Sequence, residues 1–496
     1  MASDLRGKAI SGAKWRFIAT YLTQGVQLVA SVVLGWLLGP EDYGLVAAAM
    51  VAVTVIRGCT SLGMNYAIVQ RRDRVEEAVH TGFVLLLAMA ALSYLILALV
   101  APFTAGYAAA PRLTWVLGLL FFLRPLGVVT EGSFHRDFHF RRLFVVEFSS
   151  VVLSSGLAIV LAAVLPKGQG CWALAAGGLA REGLRSAAGW AFTPMRPKLR
   201  FDRAVAWELI HYGKFLWASA VVMVLYGNIE RLAIMELLPL AALGLYHFAS
   251  AWVVNIGLVS EAIFGSVAIP VYAKLQGDVK GLRDSFCRIV GYSALVSTGL
   301  LAGMAILVPE ALALAFPPRW LPSAPIFQML GLFYLVRAVD TTTGQLYVAV
   351  GKPKYNMNLG IVNLVAMAVT VVPFVLWWGA VGAAACLLVA RVVTLVCNTV
   401  VLRRLLECRL ARLARIVTPS LKAAAGMALV LYAGQLAAYR LWGGVGWLAL
   451  AALIALGALA YAASVYLFER ALFRDIVGLL RDALRTGKVK ANDLTA

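Results

Sequence analysis

Acidic residues are scarce in this chain: 24 Asp and Glu stand among 496 residues, against 44 Lys and Arg. Charge of either sign makes up only 14% of the sequence, 62% is hydrophobic, and the mean hydropathy is +0.85. So little charge excludes an ordinary soluble globular protein. Cysteine is also sparse. Cys59, Cys171, Cys287, Cys386, Cys397 and Cys408 show no CxxC or His-paired spacing, and most sit inside apolar runs, which points to buried free thiols. Signatures of nucleotide chemistry are missing as well. No Walker A loop exists, which excludes ATP hydrolysis on sequence grounds. The stretch "HRDF" (135–138) echoes a kinase catalytic loop but lacks the glycine-rich loop, the downstream Asn and DFG. No Ser/His/Asp grouping is present. His135 and His139 have the spacing of a metal pair, yet they lie in a basic loop, so no metal is assigned. The basic start (MASDLRGKAISGAKWR) has no small-residue cleavage site behind it and reads as the lead into a retained first span.

What is present is apolar sequence in long runs. Stretches of 18 or more such residues recur along the chain, each enough to cross the bilayer as a helix. The runs are continuous rather than alternating, so the fold class is all-α and polytopic, not a β-barrel. Pro, Gly and charge clusters bound about fourteen spans, near 15–38, 44–69, 79–101, 113–133, 143–165, 171–193, 209–236, 243–270, 287–315, 323–350, 357–378, 380–402, 420–439 and 446–468. Of the 44 basic residues, 32 fall in one set of alternate loops and the two terminal segments. The other loops hold only Arg112, Lys167, Arg319 and Arg440, which predicts both termini in the cytoplasm. Trp15, Tyr21, Trp172, Trp207, Trp320, Trp378 and Trp442 near span ends read as interface anchors. The segments 199–215, 403–417 and 469–488 mix bases and leucines at helical spacing and are expected to lie on the cytoplasmic surface.

An internal repeat shows at a shift of 200 residues. "GAKW…LLGPEDYGL" aligns with "YGKF…LLPLAALGL": Lys14 meets Lys214, Trp15 meets Phe215, and Gly44 meets Gly244. An even number of spans per half implies two six-helix lobes related by an axis along the membrane normal, with a central cavity between them. The expected division is 1–198 for the first lobe and 199–416 for the second. A helix pair follows at 417–468, then a cytoplasmic amphipathic tail at 469–496. The acids of "GPEDYG", absent from the matching turn, fit an exposed helix start on the external side.

Eight basic residues remain in or beside the spans: Arg57, Arg124, Arg181, Arg185, Lys214, Arg231, Arg337 and Arg391. Burying an Arg at a helix centre costs at least ~2.5–3.5 kcal/mol, so such residues normally face a wet cavity or a partner. The acids available are fewer: Glu230, Glu261 and Asp340, with Glu131, Glu147, Glu182 and Glu236 nearer span ends. Arg337 and Asp340, three apart, are placed to pair on one helix face. Glu230 and Arg231 are adjacent and are expected to point to different sides. An excess of cations calls for a counter-anion, and the planar Arg fork suits phosphate oxygens. Arg57, Arg124, Arg181, Arg231, Arg337 and Arg391 are therefore the candidate anion-binding set. Asn228, Glu230, His247, Glu261 and Asp340 are candidate polar or ion-coupling groups. No catalytic residue is assigned.

The segments "GAKWRFIATYLTQGVQLVASVVLGWLLGPEDYGLVAAAMVAV", "SLGMNYAIVQRRD", "GNIERLAIMELLPLAALGLYHFA", "AIPVYAKLQGD" and "GKPKYN" resemble the Wzx-type polysaccharide flippases. These belong to the multidrug/oligosaccharidyl-lipid/polysaccharide (MOP) exporter superfamily. The resemblance implies an undecaprenyl-diphosphate-linked oligosaccharide moved across the bacterial inner membrane by alternating access, with no enzyme activity and no cofactor. It also implies coupling to H+ or Na+, contact with membrane lipids, and a polysaccharide polymerase and export machinery as partners, with no nucleic acid. One departure is plain: where that branch commonly has Asn-x-x-Asp, this chain has Asn228-Ile229-Glu230-Arg231. A lipid II flippase and a small-molecule exporter of the same superfamily are the near alternatives. A membrane polymerase or glycosyltransferase is the alternative of a different class, disfavoured by the short external loops.

Overall fold

The computed structural model describes residues 21–60, 75–104, 110–136, 140–193, 197–257, 259–340 and 342–468. The loop bases Arg71, Arg72 and Arg74, His139 and the tail at 469–496 lie outside the described residues. So do the side chains of Glu131, His135, Lys214 and Glu261. All regular structure among the described residues is helical.

The helices run α1 Tyr21–Leu37, α2 Pro40–Thr60, α3 Val75–Val100, α4 Ala110–Gly118, α5 Leu120–Arg136, α6 Phe140–Val164 and α7 Gly170–Phe192. They continue as α8 Arg203–Tyr226, α9 Ile229–Leu237, α10 Leu240–Gly257, α11 Val259–Lys274 and α12 Val279–Ala315. The last are α13 Ala324–Asp340, α14 Thr343–Ala349, α15 Lys354–Leu406, α16 Leu410–Trp442 and α17 Trp447–Phe468. Nine helical segments among the described residues are long and apolar enough to cross a membrane, against about fourteen spans expected. The shortfall has local causes. Span 113–133 is broken at Leu119 into α4 and α5, and 209–236 is broken at Gly227–Asn228 into α8 and α9. Span 171–193 carries Arg181, Glu182 and Arg185. Spans 357–378 and 380–402 are both inside α15, whose helical path is interrupted at Gly379 (φ 59°, ψ −139°). Only glycine adopts that backbone conformation cheaply.

Helix starts follow capping chemistry. The Asp202 carboxylate accepts from the amides of Ala204 and Val205 at 2.8 and 3.1 Å to open α8. Asp278 accepts from the Gly281 amide at 3.0 Å to open α12. Each satisfies donors that a helix leaves bare in its first turn. Segment 403–417 differs from the expected surface helix. α15 runs through Arg403 and Arg404, turns at Glu407, and α16 continues unbroken to Trp442. The apolar residues Leu199 and Phe201 of the 199–215 segment are exposed, as is Trp207. Tyr21, Trp378 and Trp442 are likewise exposed, but Trp320 is fully buried against Phe248 at a ring distance of 4.2 Å. Trp320 is thus a core residue, not an interface anchor. Trp172 packs on the core beside Cys171.

The chain forms two compact units, Met1–His247 and Phe248–Ala496. The core of the first gathers Val53, Leu97, Leu113, Leu117, Phe121 and Cys171 where α2, α3, α4, α5 and α7 meet. α8 joins this unit: the Trp217 indole donates to the Cys59 carbonyl at 2.6 Å. The core of the second gathers Tyr272, Phe286, Leu346, Tyr347, Leu402 and Leu406.

The repeat is visible inside the first unit. α1 and α9 end at Leu37 and Leu237, and α2 and α10 begin at Pro40 and Leu240, each pair 200 apart. The two helix starts also touch reciprocally. A Cβ on Gly44 would strike the Leu240 carbonyl, and a Cβ on Gly244 would strike the Pro40 carbonyl. Only two glycines allow the backbones to come this close. The "GPEDYG" acids divide in role. Glu41 is exposed, whereas Asp42 accepts from the Gly39 amide and from the Cys171 amide, each at 3.1 Å. Asp42 therefore ties the α1–α2 turn to the N-terminus of α7 and is not simply an exposed helix start.

Candidate functional site

Three of the six candidate arginines converge in the first unit. Arg57 lies in the last turn of α2, Arg124 on α5 and Arg181 on α7. α5 is locked to α7 by two side-chain bonds that use carbonyls flanking Pro125. The Ser186 hydroxyl donates to the Leu123 carbonyl at 2.9 Å, and the Trp190 indole donates to the Leu126 carbonyl at 2.7 Å. Gly127 removes the side chain that would otherwise press on Ser186, its nearest neighbour at 3.0 Å. The same packing brings Arg185 to 3.9 Å from where a Gly127 side chain would stand.

Electrostatically these groups form one cluster. Arg57 feels the like charge of Arg124 and the opposite charge of Glu182. Arg181 feels Glu182, Arg185 and Glu147. Arg185 approaches Glu182 at 3.9 Å, and the Gln27 amide oxygen, once turned toward α7, accepts from Arg181 at 2.7 and 2.9 Å. Glu182 thus answers Arg57, Arg181 and Arg185, with Glu147 adding to Arg181, while Arg124 adds its like charge beside Arg57. Neither Arg57 nor Arg124 has a carboxylate within ion-pair reach among the described residues. Charge on apolar helices without a partner carries a large cost, which an anion with several oxygens would relieve.

Arg231 sits apart from that cluster, at the start of α9. The expectation that it points away from Glu230 does not hold: its Nε lies 3.8 Å from Glu230 Oε1. Glu230 is buried and also receives a hydrogen bond from Tyr246. His247 lies within the field of Arg231. Asn228 is buried and donates to the Val224 carbonyl at 2.8 Å, closing the end of α8.

In the second unit the arginines meet an acid. Asp340, buried at the end of α13, pairs with Arg391 of α15 at 3.4 Å. Asn398 Nδ2 donates to the other Asp340 oxygen at 2.5 Å, and the Tyr347 hydroxyl donates to Asn398 Oδ1. The predicted Arg337–Asp340 pair gives way to this arrangement. Arg337 lies over the Tyr334 ring at 5.5 Å and adds only a more distant charge to Asp340. The two halves of α15 are joined nearby, where Asn363 Nδ2 donates to Thr394 Oγ1 at 3.1 Å. Asn363, Tyr347 and Asn398 escaped the sequence reading. The spacing Arg391, Thr394, Asn398 places three polar groups on one face of an apolar helix and is the signal that marks them.

A cleft of about 500 Å³ opens elsewhere, lined by Glu76, Glu77, His80, Thr81, Arg200, Phe201 and Asp202. It forms where the segment before α8 is pinned to the start of α3. The Lys198 amide donates to His80 Nδ1 and the Asp202 amide to Thr81 Oγ1, both at 3.1 Å. None of the candidate arginines lines it.

Residues 33–325 match the family described as "Polysaccharide biosynthesis protein". Teichuronic acid biosynthesis protein TuaB of Bacillus subtilis is 25% identical over 351 residues, covering 69% of this chain and 71% of that one. Lipopolysaccharide biosynthesis protein WzxC of Escherichia coli is 24% identical, covering 70% and 71%. Succinoglycan biosynthesis transport protein ExoT of Rhizobium meliloti is 25% identical, covering 64% of each chain. Among solved structures, the lipid II flippase MurJ in an inward closed conformation superposes with a TM-score of 0.71 at 14% identity. That match covers 93% of this chain and 99% of MurJ. An inward-facing MATE-family multidrug transporter of the MOP superfamily gives 0.62 at 15% identity, covering 80% and 96%. These likenesses show the fold. With the family match spanning more than half of its length, the chain is a multi-pass membrane protein that belongs to the polysaccharide biosynthesis protein family, with the fold of the MOP-superfamily transporters.

Proposed function

We propose that this protein is a flippase that moves an undecaprenyl-diphosphate-linked oligosaccharide repeat unit across the bacterial inner membrane by alternating access. The carrying observation is the cluster of Arg57, Arg124 and Arg181, four guanidinium groups with Arg185 against Glu182 and Glu147. A diphosphate offers several acceptor oxygens to such a surface, and the lipid tail stays in the bilayer. Arg guanidinium groups hold their charge throughout, so the cluster favours the anion at every stage of transfer. Arg231, Arg337 and Arg391 already have local partners and serve this reading less directly. Glu230, buried beside Arg231, is the candidate for coupling to H+ or Na+. Both termini lie in the cytoplasm on this reading, and the polymerase and export machinery for the polysaccharide act next to it.

The test is flipping of a fluorescent polyprenyl-diphosphate oligosaccharide in proteoliposomes, with Arg57→Glu and Arg124→Glu combined. Transport should be lost while the melting midpoint is kept. Unchanged flipping would overturn the proposal. The likeness to MurJ supports lipid II as a second substrate to assay, and the same vesicles separate the two lipids. An organic-cation substrate is disfavoured by the sign of the cluster.

A further inference from the structure

Cys287 of α12 and Cys408, in the corner between α15 and α16, are 121 residues apart in sequence, yet their Sγ atoms lie 4.0 Å apart. Both are buried. The chain around them builds this juxtaposition. Glu407 is left-handed at φ 52°, the one non-glycine residue with positive φ among the described residues. It reverses the chain after Leu406 and turns Cys408 inward, while Glu407 and Arg409 stay exposed. Ion pairs then hold the two elements in register. Arg283 Nη1 lies 3.5 Å from Glu407, and Arg412 Nη2 donates to Asp284 at 2.8 Å. Residues 283 and 287 are one helical turn apart, so the face that sets Arg283 against Glu407 also sets Cys287 against Cys408.

The surroundings favour thiolate, the reactive form of cysteine. The Cys408 thiol is lowered to about 7 by its hydrogen bond with Cys287 and by the charges of Arg412 and Arg283, against the opposing effect of burial. We infer that Cys287 and Cys408 form a redox-active dithiol, closed to a disulfide by a hydroperoxide, that tethers α12 to the α15–α16 corner. The Cys408 thiolate attacks one peroxide oxygen, and the O–O bond breaks to give a sulfenic acid and, after protonation, water. Cys287 then attacks that sulfur; the S–S bond forms, the S–O bond breaks, and a second water leaves. Two thiols lose two electrons and hydrogen peroxide gains them. The tether restricts sliding of α12 against α15 and α16, so peroxide slows any transport step that needs it.

The experiment uses the full-length protein in nanodiscs, treated with hydrogen peroxide, alkylated with N-ethylmaleimide and digested for mass spectrometry. All six cysteines are free before treatment. The expected result is a Cys287–Cys408 linked peptide, reversed by dithiothreitol, with two fewer alkylated cysteines. In Cys287→Ser, Cys408 should stop at sulfenic acid and be trapped by dimedone. Six alkylatable thiols after treatment, or linkage that prefers any other pair, would overturn the inference. The linked peptide is read in unsubstituted protein, so the outcome does not depend on how the variant folds.

Discussion

Asp42 offers a sharp test of how the α1–α2 turn is built. Its two carboxylate oxygens accept one amide each, Gly39 within the turn and Cys171 in the first turn of α7, both at 3.1 Å. Cys171 is only 1% exposed, so water cannot replace the lost acceptor there. A hydrogen bond to a charged group is worth about 1.5–3 kcal/mol, and a stranded buried donor costs a similar amount. Asp42→Ala removes both acceptors and should cost about 3–5 kcal/mol, near the upper end for a single substitution. Asp42→Asn keeps one acceptor oxygen and should cost roughly half as much, since its amide nitrogen faces the second donor. Glu41→Ala forfeits only an exposed interaction with the helix dipole, about 0.3–1 kcal/mol. Unfolding by dodecyl sulfate titration in mixed micelles reads the ordering, and hydrogen exchange at the Gly39 and Cys171 amides locates the cause. If Asp42→Ala and Glu41→Ala shift the midpoint equally, or Cys171 exchanges no faster, the bridge has no energetic role.

Three further outcomes follow from packing and pairing. Gly244→Ala drives a methyl into the Pro40 carbonyl and should destabilise by about 1–3 kcal/mol or more, as should Gly44→Ala; Gly25→Ala, with nothing within 4 Å, should leave the melting midpoint in place. Arg391→Met alone strands the buried Asp340 and should cost about 3–5 kcal/mol, whereas Arg391→Met with Asp340→Asn should recover most of it in a double-mutant cycle. Asp202→Ala should lower stability by about 1 kcal/mol and speed exchange at the Ala204 and Val205 amides, because α8 loses its cap.

Much of the architecture is legible in the chain because the bilayer narrows the choices to long apolar helices. The turn at Gly379 falls between two expected spans, and the repeat offset of 200 recurs at the helix ends 37/237 and the helix starts 40/240. Legibility fails where a helix is interrupted without loss of hydropathy, as at Leu119, because composition carries no mark of a broken hydrogen-bond ladder. It fails also for contacts across the fold. Asp42 looks like an ordinary first-turn acid until its partner 129 residues away is known. Trp320 looks like an interface anchor until Phe248 is found beside it, with Phe316 edge-on to that same Phe248 ring.

The arginines show the same limit in the site itself. Counted along the chain, they form one surplus of cations that calls for one anion. Pairing, however, is local. Arg391 is met by Asp340 and Arg231 by Glu230, at 3.4 and 3.8 Å, so these two charges are answered within the protein. Arg57 and Arg124 repel each other across α2 and α5, and Glu182, which also answers Arg181 and Arg185, is the carboxylate that acts on Arg57. The surplus is therefore not spread evenly over six positions; it is concentrated on α2, α5 and α7. A charge reversal on those helices should act on anion binding, whereas one at Arg391 or Arg231 should act first on folding. Measuring both transport and melting for each arginine separates these two kinds, and a uniform loss of transport at constant stability across all six would contradict the division.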